Sequence, residues 1–241
     1  MAVSALRYPL GPIMSDTASS ATAQYDVVVA GGGPAGLAAA TELKRLGVSN
    51  VAVFEREPEA GGIPRHCGHP PFGMREFTRV LSGPKYAKKL VETTLAAGVE
   101  INTSATVVEA RPSGELLVTT DHGAREIKAR RIVYAAGVRE TPRSARLISG
   151  SRPLGIINTG ALQSMVYLKN RIPFERPLIV GTELVSFSAI MTCRHAKIRP
   201  AAMIEETSRA TARWPSALFP PMVGVPLHLN TRLVSIEGNE R

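Results

Sequence analysis

The 241-residue chain has two cysteines, one tryptophan and aromatic residues at only 5% of positions. Cys67 and Cys193 stand far apart and form no CxxC pair, which excludes a dithiol redox centre and a disulfide framework and fits a reducing, cytoplasmic setting. No apolar run approaches the roughly 20 residues needed to span a bilayer. The N-terminal MAVSALRYPLGPI is broken by Arg7, Pro9 and Pro12, so a secretory segment is not expected either. The formal net charge is +9, but Arg and Lys alternate with acids and aromatics are scarce. A nucleic-acid site is therefore not expected, whereas a surface that attracts anionic cofactors or an acidic partner stays open. Hydrolase chemistry finds no support, since no Ser/His/Asp set, P-loop or paired-carboxylate site stands in a convincing context.

What is present is organised. Residues 1–23 are Ser/Ala/Thr-rich without apolar period and read as a disordered leader, within which Met14 offers a second possible start. YDVVVA from Tyr25 is a continuous apolar run that suits a buried parallel strand. PAGLAAATELKRLG follows with helical spacing, and VAVFE reads as the next parallel strand, completing a βαβ unit. The Gly/Pro-rich loop GGIPRHCGHPPFG precedes a helix, KYAKKLVETTLAAG. VEINTSATVVEA, ELLVTT and AREIKA alternate as an antiparallel meander, and RRIVYAAG reads as a further buried strand. GALQSMVYLKN reads as a short helix and RIPFERP as a linker. Residues 177–206 then repeat strand, helix and strand, and the tail PLHLNTRLVSIEGNER begins another strand. The expected fold class is α/β: a Rossmann-like unit with a meander over 24–172, and a partial second Rossmann-like unit over 173–241.

In AGGGPAGLAAA, Gly31, Gly33 and Gly36 fill GxGxxG spacing between strand and helix. Gly31 permits the tight turn, Gly33 lets backbone approach a pyrophosphate, and Gly36 lets the helix lie close on the strand. Pro34 and Ala35 open the helix, whose N-terminus offers free N–H groups to phosphate. Glu55, ending the second strand, is placed to accept hydrogen bonds from ribose hydroxyls. An acid there disfavours a 2′-phosphate, so FAD or NAD is expected over NADP, and spacing alone does not choose between them.

VVVAGGGPAGLAAA, Glu55, the Gly61–Gly62 pair, the meander and IVYAAGVRETPR together resemble the FAD half of the pyridine-nucleotide disulfide oxidoreductase superfamily, flavoproteins with two dinucleotide-binding domains. GGIPRHCGHPPFG, RETPRSARLISGSRPLGIINTGALQ and VGTELVSFSA resemble most its opine oxidase and hydrogen cyanide synthase type, FAD-dependent amine and amino-acid dehydrogenases. The resemblance implies an FAD site that also uses Arg56, Gly62, Val107, Ala136 and Gly137. It implies that the loop after Glu55 runs toward the isoalloxazine. His66 and Cys67 then become candidates for catalysis and Arg65 for binding a substrate carboxylate. A loop that merely covers the cofactor is the competing reading. A zinc site in Arg65–His69 lacks a fourth ligand, and no metal is expected.

The resemblance further implies that residues 177–206 stand where NAD(P)H would bind. Their turn reads Gly181-Thr182-Glu183-Leu184-Val185-Ser186, so only the first of three glycines is kept. A carboxylate about 4 Å from a phosphate charge is repelled by roughly 1–4 kcal/mol. NAD(P)H is therefore not expected to bind, although Glu205 and Glu206 after the second strand leave a ribose contact open. The expected function is dehydrogenation of an amine, amino-acid or opine-type small molecule with hydride transfer to flavin, electrons passing to a carrier or partner subunit. Family members return later to the FAD domain, and this sequence stops at Arg241 inside the second unit. A truncated, non-catalytic interaction chain is thus an alternative, with an unpaired sheet edge and exposed apolar surface; an NAD(P)H-dependent flavoprotein reductase is another.

Overall fold

The computed structural model describes residues 23–239. The leader expected over 1–23 falls outside these residues but for Ala23. The first unit opens with β1 (Gln24–Ala30), α1 (Pro34–Arg45) and β2 (Val51–Phe54). The loop after β2 holds a single 3₁₀ turn, Ile63–His66, followed by the short α2 (Met74–Phe77) and by α3 (Gly83–Ala96). Then come β3 (Glu100–Asn102), β4 (Thr106–Ala110), β5 (Glu115–Thr120) and β6 (Gly123–Tyr134).

These strands form one six-stranded sheet in the order β3-β2-β1-β6-β5-β4. The β3-β2-β1 half and the second half of β6 are parallel, while β4, β5 and the first half of β6 are the antiparallel meander. Two readings are corrected here. VEINTSATVVEA divides between the two parts of the sheet: Glu100–Asn102 pairs parallel with β2, and only Thr106–Ala110 joins the antiparallel meander. AREIKA and RRIVYAAG are not two strands: β6 runs without a break, because no glycine or proline separates Ala129 from Arg130, and its two halves serve the two parts of the sheet.

Apolar runs are required because both faces are covered. Val28, Ala52 and Phe54 join Leu116, Val118 and Ile127 in one core cluster, whereas Val27, Val29, Val51 and Val53 join Ala40 of α1 in another. At about 25 cal/mol per Å² of apolar area buried, such a two-faced sheet is the main stabilising feature of the unit.

Beyond β6 lie β7 (Ser149–Gly150) and α4 (Thr159–Gln163), the latter running into a π turn, Ser164–Leu168. The second unit contains β8 (Leu178–Val180), α5 (Leu184–His195), β9 (Ala202–Ile204), the short α6 (Phe219–Met222) and β10 (Leu227–His228). Its parallel sheet has the order β10-β9-β8, and β11 (Ser235–Ile236) returns to pair with β7. Leu162 and Val166, from α4 and the π turn, are buried in the same core as Ile190, Cys193 and Met203 of the second unit. No helix among the described residues is long and apolar enough to cross a membrane.

Candidate functional site

The strand–turn–helix at Gly31–Gly36 is built as its spacing predicts. Gly31 sits at φ +115°, and a Cβ there would strike the Ala135 carbonyl oxygen. A Cβ on Gly36 would strike the Gly31 carbonyl oxygen, so Gly36 serves helix–strand contact. Gly33 differs from both. Its backbone is extended (φ −79°, ψ −178°), a conformation open to any residue. The nearest atom to a Cβ there would be Gly62 Cα at 3.9 Å, so nothing within the protein requires glycine at this position. The space beside Gly33 is open.

Pro34 holds the first helical position, which suits its fixed φ, and Ala35 beside it is exposed. Gly62, at φ +63°, packs on the turn: a Cβ there would lie 2.8 Å from Gly33 Cα. Ala135 N–H donates to the Ala30 carbonyl at 2.9 Å, bringing Ala136 and Gly137 alongside the turn.

Glu55 is buried, and backbone hydrogen bonds fix its carboxylate: Gly32 N–H donates to Oε2 at 2.8 Å and Glu57 N–H to Oε1 at 2.9 Å. A carboxylate offers about four acceptor positions. Two stay free, as many as the two ribose hydroxyls adjacent on a nucleotide would use. Ala105 N–H donates to the Glu55 carbonyl at 2.9 Å, so β4 and Val107 start beside this acid. Arg56 points outward and pairs with Glu57 at 3.5 Å.

The loop carrying Arg65, His66 and Cys67 turns under the π turn, where Gly68 leaves room for the Tyr167 ring. Arg65 Nη2 pairs with Glu59 Oε2 at 3.0 Å and is therefore engaged within the loop. Burial lowers the His66 pKa below its ordinary value, so the imidazole is neutral near pH 7. Burial pushes the Cys67 thiol up to about 11, which makes it a hydrogen-bond donor and not a thiolate nucleophile. The Cys67 Sγ donates to Gln163 Oε1 at 3.6 Å. Gln163 and Thr182 are the residues that sequence reading passed over. The segment GALQ drew notice as a helix, but nothing in it marks a polar residue that ends 2% exposed.

The second turn repeats the first in backbone and departs in side chains. Gly181 N–H donates to the Ile204 carbonyl at 2.9 Å, as Gly31 N–H does to Phe54, and Gly181 has φ +100°. Glu183, matching Gly33, has nearly the same backbone (φ −69°, ψ 162°). Its carboxylate folds back over Gly181, accepts from Ser186 Oγ at 3.0 Å and faces Arg146 at 3.7 Å. Glu205, matching Glu55, accepts from the hydroxyls of Thr182 and Thr211 (3.4 Å) and from Thr207 N–H (3.1 Å). The Thr207 hydroxyl lies 3.0 Å from Glu205 Oε1 and 2.7 Å from the Arg209 carbonyl and has one proton for the two acceptors, so Glu205 has three donors of its own against two at Glu55. Burial opposes its ionisation, but the bonds from Thr182 and Thr207 outweigh burial and hold its pKa below the usual carboxylate value. Glu206 is exposed and faces Arg232 at 3.9 Å.

A sequence profile of the pyridine nucleotide-disulphide oxidoreductases matches residues 25–241. The chain belongs to this family. Its members are FAD-dependent oxidoreductases, and the open cradle at Gly33 with the half-free Glu55 fits the adenine-nucleotide part of that cofactor. The opine oxidase A-subunit of Rhizobium meliloti (strain 1021) is 24% identical over 186 residues, which are 75% of this chain and 38% of that protein. The opine oxidase A-subunit of Agrobacterium tumefaciens (strain Ach5) is 30% identical over 173 residues, 65% of this chain and 32% of that protein. The chain thus spans about a third of the length of the curated relatives it matches. Among solved structures, L-proline dehydrogenase from P. horikoshii superposes with TM-score 0.60 at 19% identity, covering 80% of this chain and 37% of that one. An NAD-dependent persulfide reductase from A. fulgidus gives TM-score 0.62 at 20% identity, covering 89% and 41%. At these identities the likeness shows the fold alone.

Proposed function

We propose that the first unit binds FAD and takes part in dehydrogenating an amine, amino-acid or opine-type substrate, with electrons leaving to a partner subunit or carrier. The observation that carries the FAD site is Gly33: a glycine that neither conformation nor packing requires, above a helix N-terminus and beside an acid with two free acceptor positions. The similarity to the opine oxidase A-subunits supports the substrate class and the multi-subunit setting.

FAD, when bound, supplies the hydride acceptor. A hydride would pass from the substrate C–H to it, and the N–H proton released as the imine forms would go to a base of this chain. In this reading neutral His66 is the group able to take the proton, Arg65 would orient a substrate carboxylate by exchanging Glu59 for it, and Cys67 stays protonated and donates to Gln163. In this reading the second unit does not take NAD(P)H, which is supported by a carboxylate at Glu183 where the first turn has glycine and by the engagement of Glu205 with Thr182, Thr211 and the Thr207 N–H. The experiment is anaerobic flavin spectroscopy of the FAD-loaded chain with an opine, L-proline and NADH in turn. Bleaching by an amine substrate but not by NADH is expected; bleaching by NADH alone overturns the substrate assignment.

A second reading is an interaction chain without turnover. It is favoured by Tyr134, at the end of β6, and by Val138, Leu147 and Leu154 in the segment that follows, each at least 80% exposed. Large apolar exposure of this kind marks association surfaces. Size-exclusion chromatography that shows a monodisperse monomer would remove that reading.

A further inference from the structure

Buried polar side-chain atoms in folded proteins nearly always find a partner, and each exception requires an explanation. Among the described residues four such atoms have none: Arg65 Nε, His66 Nδ1, His69 Nε2 and Gln163 Nε2. Three belong to one five-residue stretch of the loop after Glu55, and the fourth touches that stretch through Cys67. They are not scattered defects.

Gln163 is the most confined of the four residues, at 2% exposure. Its position is set from two sides. Asn158 Oδ1 accepts from Ala161 N–H at 2.8 Å and Glu140 Oε2 accepts from Gly160 N–H at 2.5 Å, which pins the start of α4. Leu162 and Val166 then anchor the helix and the π turn in the core of the second unit. The Cys67 thiol donates to Oε1 at 3.6 Å, and the Nε2 group, beside the His66 ring, has no hydrogen-bond partner within the protein. Leaving a buried amide N–H unpaired costs about 1–3 kcal/mol, and a wholly apolar side chain would avoid that cost. His69 Nδ1 donates to the Pro70 carbonyl at 3.0 Å, which orients the ring.

We propose that Gln163 is a ligand-binding residue, its amide N–H donating to an acceptor oxygen or nitrogen on a molecule bound at the loop of residues 65–69. Two sources share that chemistry: the carbonyl-bearing edge of the flavin ring and the carboxylate of an organic substrate. The inference rests on the flavoenzyme reading only for the first source. It extends the site from the βαβ unit to α4, an element whose apolar side belongs to the second core, so ligand contact at Gln163 would join the two units.

The test uses the whole 241-residue chain with ¹⁵N-labelled glutamine side chains, titrated with FAD and separately with L-proline or succinate, before and after FAD loading. Visible absorption reports FAD binding independently. Movement of the Gln163 side-chain amide signals on FAD addition assigns the flavin edge. Movement only with L-proline or succinate assigns the carboxylate, and does so even if FAD fails to bind, in which case the flavoprotein reading falls and this inference stands. If FAD binds and no ligand moves the Gln163 signals, the inference is overturned while the FAD site survives. If nothing binds, both are overturned. Gln163→Leu, close in volume, is expected to weaken the assigned ligand about tenfold with an unchanged melting temperature. Unchanged affinity overturns the inference, and if the variant does not fold the labelled unaltered chain decides.

Discussion

The two strand–turn–helix units share a backbone and differ in what it leaves open. Gly31 and Gly181 both take positive φ and both donate to the end of the neighbouring strand. Gly33 and Glu183 have almost the same extended dihedrals, so the second unit demonstrates that this fold accepts a side chain where the first has none. Folding alone therefore does not require glycine at position 33, and the proposed ligand accounts for it. The acids at the ends of β2 and β9 differ in the same sense: Glu55 has two donors, both backbone N–H groups, whereas Glu205 has three, two of them threonine hydroxyls. The two turns thus share a backbone, and the proposed difference in binding rests on a few side chains.

The largest effect expected from breaking this contrast is at Gly33. Gly33→Val should leave the melting temperature within a few degrees of the parent and reduce FAD affinity by at least about a hundredfold, near 2.7 kcal/mol. Gly36→Val should do the opposite kind of damage. Its Cβ meets the Gly31 carbonyl, so a stability loss of about 1–3 kcal/mol is expected in urea unfolding, with FAD binding lost as a consequence. Weakened FAD binding without a stability change in Gly36→Val would contradict the packing role.

Glu55→Gln is next in size. The carboxamide keeps one acceptor oxygen, so one of the two backbone N–H groups at Gly32 and Glu57 is left facing an NH₂, at a cost of about 1–3 kcal/mol. Both stability and FAD affinity should fall, and an unaltered urea midpoint would sink the described geometry.

At Glu205 the effect is pH-dependent. Its folded pKa lies below the unfolded value, so the stability it contributes is complete above the unfolded carboxyl pKa, about 4.3, and is lost as pH falls through the folded value. Glu205→Gln should therefore flatten the acid limb of the stability curve below about pH 4.3 relative to the parent. Parallel curves would show that the threonine hydroxyls do not stabilise the ionised form. Glu183→Gly with Ser186→Gly should have the smallest effect, less than about a tenfold gain in NADH affinity, because Glu205 stays committed to Thr182, Thr207 and Thr211. A gain to micromolar affinity would mean that the turn alone decides.

The sequence made the first unit legible because its determinants are local: a glycine spacing, a helix and an acid on adjacent elements. The degenerate second turn was legible for the same reason, read directly as Glu183 and Ser186. What escaped depends on residues distant in the chain. Thr182, Thr207 and Thr211 converge on Glu205 only after β8 and β9 pair. Gln163 meets Cys67 across 96 positions, a contact that no periodicity encodes. The continuity of β6 was hidden because its two halves have different partners and so different patterns, one alternating and one apolar.

The central claim is that the first turn is an open dinucleotide site and the second a closed one. The most direct measurement is paired equilibrium titration of the purified chain with FAD and with NADH, followed by visible absorption and by NADH fluorescence. The account predicts one FAD bound per chain and no saturable NADH binding in the micromolar range. NADH binding at one equivalent without FAD uptake would contradict it.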